Sequence, residues 1–65
     1  MVDGEKIRRL REDADMTQTE LATYAGISVQ LMSFIESGLR DPSVKAFERI
    51  AIRLGVTMDE LMKAN

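Results

Sequence analysis

The chemistry open to this 65-residue chain is set first by what it lacks, since it contains neither Cys nor His. Without a thiolate or an imidazole there is no ordinary nucleophile–base pair and no soft metal site. An enzyme would have to work with Ser, Thr, Lys, Tyr or carboxylates alone, so neither catalysis nor a metal or other cofactor is expected. What remains is recognition by hydrogen bonding, and the residues suited to it are concentrated between Gln18 and Ser37. At about 100° per residue, Met32 and Ile35 point the segment after Ser28 inward. The opposite direction falls near Gln30 and Ser37, with Ser33 and Phe34 on either side, Val29 at the edge and Leu31 leaning inward. The outward face is therefore polar except for Phe34.

A face of this kind works only if other elements hold it, and the spacing of apolar residues is helical throughout. Ile7, Leu10 and Ala14 recur at i, i+3 and i+7 in a first segment that Asp3 can cap. Thr17-Gln18-Thr19-Glu20 is a capping box that opens a second segment, closed at Gly26. Ser28 can cap a third, carrying Met32 and Ile35 inward and stopping at Gly38. Ser43, after Pro42, can cap a fourth with Phe47, Ile50, Ala51 and Leu54 on one face, ended by Gly55. Thr57 to Glu60 forms another capping box, predicted to open a last short helix with Leu61 and Met62. Five helices joined by short connections are expected, in one domain over 1–65.

Size and charge narrow the class. A chain this short hides only about 60% of the surface its unfolded form exposes, and it has no disulfide or zinc to reinforce a thin core. Tight helix packing or oligomerisation has to serve instead. Apolar runs such as Tyr24-Ala25 and Ile50-Ala51-Ile52 are far short of the roughly 20 residues that span a bilayer. Asp3, Glu5 and Lys6 stand where a signal peptide would turn apolar, so a cytoplasmic protein with no membrane role is expected. The net charge of −2 and pI near 5.0 are unusual for a nucleic-acid binder, which is ordinarily basic.

The segment from Gln18 to Ser37 nevertheless has the form of two helices meeting through a short Gly-containing turn, Ala25-Gly26-Ile27. Such a pair needs a small residue where the axes approach, supplied by Ala22, and apolar inner contacts, supplied by Leu21, Ala25, Ile27, Met32 and Ile35. This arrangement lifts one helix off the body so that its outer face can enter a major groove. Thr17-Gln18-x-x-Leu21-Ala22-x-x-Ala25-Gly26-Ile27-Ser28, then Ile35-Glu36-x-Gly38, Pro42, and Leu54-Gly55-Val56-Thr57-x-x-x-Leu61 resemble the Cro/cI-type helix-turn-helix family, also called the XRE family. The resemblance runs from about Gly4 to Leu61.

That resemblance implies an all-α, compact five-helix, lambda-repressor-like DNA-binding domain. Its helix-turn-helix, about 18–37, is formed by helices 2 and 3. It further implies a transcriptional regulator, repressor in character, that binds double-stranded DNA as a two-fold homodimer with a recognition helix at about 29–37 in the major groove. A protein antirepressor or other partner fits the same family. Carried over, Ser28, Val29, Gln30, Ser33 and Phe34 face base edges, and the Gln30 amide can pair with adenine N6 and N7. Thr17, Gln18, Ser37, Arg40 and Lys45 fall at phosphate-contacting positions. Arg11 and Glu36 correspond to a structural ion pair, and Met58, Leu61 and Met62 to the dimer-forming end.

Phe34 departs from the family, which often has a polar or charged residue there. It can touch a thymine methyl, meet a protein, or fold against Gln30 or Leu31. The competing reading is a protein-interaction module with Val29, Leu31 and Phe34 as its contact patch, because a fold does not dictate a function. A longer regulator carrying this domain is equally compatible with the sequence. From Thr17 to Lys45 the chain has Glu20, Glu36 and Asp41 against Arg40 and Lys45, a balance of −1. Few cations mean few counterions released, so a DNA-binding reading carries the expectation of modest, gently salt-dependent affinity that needs a dimer.

Overall fold

In the computed structural model, which describes residues 1–64, each helix begins where a short polar side chain can accept a backbone N–H. Helix α1 spans Gly4–Asp13, α2 Gln18–Ala25, α3 Val29–Ser37 and α4 Val44–Leu54. Asp3 Oδ1 accepts from Lys6 N at 3.1 Å, Ser28 Oγ from Leu31 N at 3.0 Å, and Ser43 Oγ from Ala46 N at 3.2 Å. At the start of α2 the box is reciprocal: Glu20 N donates to Thr17 Oγ1 at 3.1 Å, and Thr17 N to Glu20 Oε1 at 2.8 Å. The bond from the Thr17 backbone N–H, and after it the Thr17 side chain, favour the charged form of Glu20 and draw its pKa below the ordinary value, with a smaller contribution from Arg53.

The helices also end alike. After α3, Leu39 N reaches back to Phe34 O and Gly38 N to Ile35 O. The same six-to-one and five-to-two pairing follows α2 at Gly26 and α4 at Gly55. It follows α1 too, with Met16 N on Arg11 O and Asp15 N on Glu12 O. There the left-handed position is held by Asp15, at φ 56°, and no other non-glycine among the described residues has positive φ.

The expected fifth helix is the main difference. Thr57 and Glu60 do form their reciprocal bonds, at 3.1 and 3.3 Å. What they open is only a 3-10 turn, Asp59–Leu61. The chain leaves helical geometry because Leu61 O accepts from Asp3 N at 2.7 Å, and Lys63 N donates to Met1 O at 2.9 Å. Val2 and Met62 thus form an isolated antiparallel bridge, which takes up the backbone groups a further turn of helix would need. Among the described residues the fold is therefore all-α, with four helices and this terminal turn.

One contiguous core is built from Val2, Ile7, Met16, Leu21, Ala22, Ala25, Met32, Ile35, Phe47, Ile50, Ala51 and Leu61. Helix α2 lies at its centre, packed on both α3 and α4, while α1 rests on α3 and the terminal turn. The inward stripe of α1 is Gly4, Ile7 and Arg11 rather than Ile7, Leu10 and Ala14. Leu10 is half-buried, and Ala14 is exposed at the C-cap. The expectation failed because it assigned the inward face to apolar types alone, whereas a charged side chain occupies it. No helix among the described residues is long and apolar enough to cross a membrane.

Gly4 is the point of closest approach between α1 and α3. A Cβ there would meet the backbone carbonyls of Ile35 and Glu36, the latter at 2.8 Å. Since neither carbonyl can move without bending α3, Gly4→Ala is expected to cost about 1–3 kcal/mol, read as a lowered thermal midpoint. Asp15→Gly should act oppositely by relieving a left-handed residue, gaining up to about 1 kcal/mol. For a domain this small that is a rise of several degrees, roughly 4–8 °C per kcal/mol. An unchanged or lower midpoint would show that the Asp15 side chain compensates its own backbone.

Candidate nucleic-acid interface

Helix α3 turns Met32 and Ile35 fully into the core, which forces the residues between them outward. Gln30, Ser33 and Ser37 are exposed, and Val29 is 46% exposed. Phe34 and Leu31 are half-buried, Leu31 packing against the core. Gln30 and Ser33 make no side-chain hydrogen bond among the described residues, so their donors and acceptors face solvent. The patch expected for a protein-interaction module is correspondingly reduced: with Leu31 turned inward, only Val29 and part of Phe34 are left.

Ser28 is exposed, and its hydroxyl oxygen accepts from Leu31 N while its proton stays free. The Thr17 hydroxyl oxygen likewise accepts from Glu20 N at the start of α2. Arg40 and Lys45 are exposed in the α3–α4 connection and the first turn of α4. Ser37 differs from expectation, since its hydroxyl donates to Phe34 O at 3.1 Å. Its proton is therefore committed within the helix, and as oriented here Ser37 has nothing to donate to a phosphate.

The angle of α3 is fixed by a buried polar cluster. Arg11 Nε and Nη2 donate to Glu36 Oε2 and Oε1 at 2.7 and 3.1 Å, a two-pronged pair. Its side chains are only 10% and 3% exposed. The third prong, Arg11 Nη1, donates to Met16 O at 2.7 Å. Gln18 Nε2 adds a bond to Glu36 Oε1 at 3.0 Å. The hydrogen bond it donates to Glu36 holds Arg11 charged, raising its pKa against the opposing effect of burial. No buried side-chain nitrogen or oxygen among the described residues lacks a partner.

The ion pair was implied by resemblance, but the two further members of the cluster were not. Gln18, expected at a phosphate, directs one amide N–H inward, leaving its other N–H and its oxygen for an external ligand. Met16 contributes a backbone carbonyl, which residue type cannot signal. Leu61, expected at the dimer-forming end, is fully buried in its own chain and has no surface to offer a second copy. The terminal turn points it into the core. Met58 is half-buried against the core, and Met62 is 42% exposed beside the terminal bridge.

A shallow groove of about 180 Å³ runs between Arg8, Gln18, Ser33, Glu36 and Ser37. Sequence order does not place Arg8 on this face, because α1 lies outside the Gln18–Ser37 motif. It is α1 packing on α3 that brings Arg8 to this face.

Residues 7–61 match the helix-turn-helix family model. The chain is 38% identical over 60 residues to the HTH-type transcriptional repressor RghR of Bacillus subtilis; the match covers 91% of this chain and 44% of that protein, less than half its length. Among solved structures, SinR of Bacillus subtilis in complex with DNA superposes with a TM-score of 0.80 at 30% identity, over 89% of this chain and 94% of that one. The P22 c2 repressor, solved with a synthetic operator, gives 0.90 at 25% identity, over 100% and 98%.

Removing the carboxylate from the buried cluster leaves the Arg11 charge uncompensated. Glu36→Ala is expected to cost about 3–5 kcal/mol, comparable to the whole stability of many domains this size. Thermal denaturation followed by circular dichroism measures it. An unchanged melting temperature would mean that the pair does not hold α3.

Proposed function

Because the chain belongs to the helix-turn-helix family, in its Cro/cI-type branch, we propose that it binds double-stranded DNA sequence-specifically and regulates transcription as a repressor. It acts in the cytoplasm, as a two-fold dimer. The observation that carries this reading is the outer face of α3: Gln30 and Ser33 are exposed and unpaired on a helix whose angle is set by the buried Arg11–Glu36 cluster. A rigidly held helix with unsatisfied amide and hydroxyl groups suits a major groove, where base edges offer a distinct pattern of donors and acceptors.

Gln30 pairs with adenine through its amide, while Ser28 and Ser33 add single hydrogen bonds. Val29 and the exposed edge of Phe34 meet thymine methyl groups. Phosphates are held by the hydroxyl of Thr17, the remaining amide valence of Gln18, and the cations Arg40 and Lys45. The N-terminus of α2 adds its positive end to the Thr17 and Gln18 contacts. The second copy packs at the terminal end, where Met62 and the partly exposed Met58 supply apolar surface. It places two recognition helices on half-sites roughly one helical turn apart.

Support comes from the relatives, one of them a transcriptional repressor, and from two solved neighbours in complex with DNA or operator. The reduced apolar patch on α3 weighs against the protein-interaction reading.

Two measurements test the proposal. Fluorescence anisotropy against a random duplex should reveal binding at low salt, with a salt slope shallower than the roughly −10 of strongly basic repressors. No binding at tens of micromolar would sink it. Selection from a random duplex library should return an adenine opposite Gln30, and Gln30→Ala should lose that preference at a cost of about 1–3 kcal/mol.

A further inference from the structure

We propose that Arg8, on α1, is a DNA-backbone contact: it holds a phosphate in the groove it forms with Gln18, Ser33 and Ser37, on the flank of the recognition helix. This rests on the DNA-binding reading above and names a contact outside the helix-turn-helix itself.

Three observations converge on Arg8. The first is position: the groove of about 180 Å³ joins α1 to the start of α2 and to the outward side of α3. A helix lying in a major groove has a phosphate backbone on each side, and Arg8 stands beside that helix on the side of α1. The second is the shortage of other charged donors, since the Ser33 hydroxyl and the second Gln18 N–H that remain are neutral. Ser37 gives its proton to Phe34 O, and Gln18 gives one amide N–H to Glu36. Within the groove, Arg8 is the one cation with N–H groups still directed to solvent.

The third observation is how weakly Arg8 is engaged. Its bond to Glu12 Oε2 is long, at 3.5 Å, uses only Nε, and joins side chains that are 61% and 54% exposed. Exposed pairs of this kind are marginal and easily exchanged, so Arg8 can swing to a phosphate while Glu12 returns to water. The carboxylate that also lines the groove, Glu36, is neutralised by the two-pronged bond from Arg11 and does not repel the ligand. A guanidinium fork suits a phosphate geometrically as well as electrostatically. Adding Arg8 to Arg40 and Lys45 alters the balance of a face that sequence order alone makes slightly acidic.

Affinity for the selected duplex and for a scrambled duplex of equal length, measured from about 50 to about 200 mM salt, tests the proposal. Arg8→Gln should make the salt slope shallower by about 0.9 per bound protomer and weaken both duplexes by the same factor. Arg9→Gln makes the same charge change on α1 at a residue outside this groove, and it should leave the slope as it is. Circular dichroism melts of both variants should match the parent, since both side chains are exposed. A slope unmoved by Arg8→Gln overturns the proposal, as does an equal loss in both variants, which would reflect net charge alone. Absence of any duplex binding by the parent would instead overturn the DNA-binding reading itself.

Discussion

The Arg11–Glu36 pair is the interaction on which the rest of the molecule depends. It joins the last turn of α1 to the last turn of α3, and through Met16 O and Gln18 it also fixes the entry to α2. Three of the four helices are therefore indexed to one carboxylate and one guanidinium. Burial makes the arrangement exacting: the pair is stable only while both charges are present and every remaining valence is filled. A purely apolar contact at this place could slide by a fraction of a turn, whereas a forked hydrogen bond admits one register. An outward face that reads a surface by hydrogen bonds needs that kind of positioning.

Around this cluster, a small chain without cysteine holds together through its termini and its helix ends. Each helix starts on a side-chain oxygen that accepts a backbone N–H, and each ends with the same pair of backward-reaching amides. These local bonds satisfy backbone groups that a thin core cannot shelter. The extended termini pair with one another through Val2 and Met62, closing the core over Leu61. Gly4 allows α1 to sit against the carbonyl end of α3, the same end that carries Glu36. Steric contact and ion pair thus act on one junction, and both set the angle of the recognition helix.

Charge illustrates how composition and placement differ. A net charge of −2 suggests a poor match for a polyanion. In the folded chain, Glu36 is buried against Arg11, Glu20 is tied to Thr17, and Arg8 comes across from α1 to the face of α3. What a ligand meets is therefore set by which charges are internal and which are gathered on one side. Neither can be counted along the chain.

Much of the fold was legible in the order of residues, because its cues are local. Asp3, Thr17, Ser28 and Ser43 announce helix starts, and Gly26, Gly38 and Gly55 announce ends; each acts over three to five residues, within reach of a sequence pattern. The outward set Gln30, Ser33 and Ser37 followed from helical periodicity once Met32 and Ile35 were taken as inward. What stayed hidden depends on distant partners. Arg11 displaces Ala14 from the inward face only because Glu36 is there to receive it. The last helix shortens to a single turn because Asp3 N takes the carbonyl of Leu61, and Leu61 is thereby buried rather than presented. Ser37 and Gln18 lose donors to neighbours, and Arg8 comes to the face of α3 through the packing of α1 on α3. The sequence by itself determined where each helix begins, where it stops and which way most of it faces. The tertiary structure alone decided which polar groups are consumed internally and which remain for a ligand, because a hydrogen-bonding group is defined by its partner, and these partners lie far apart along the chain.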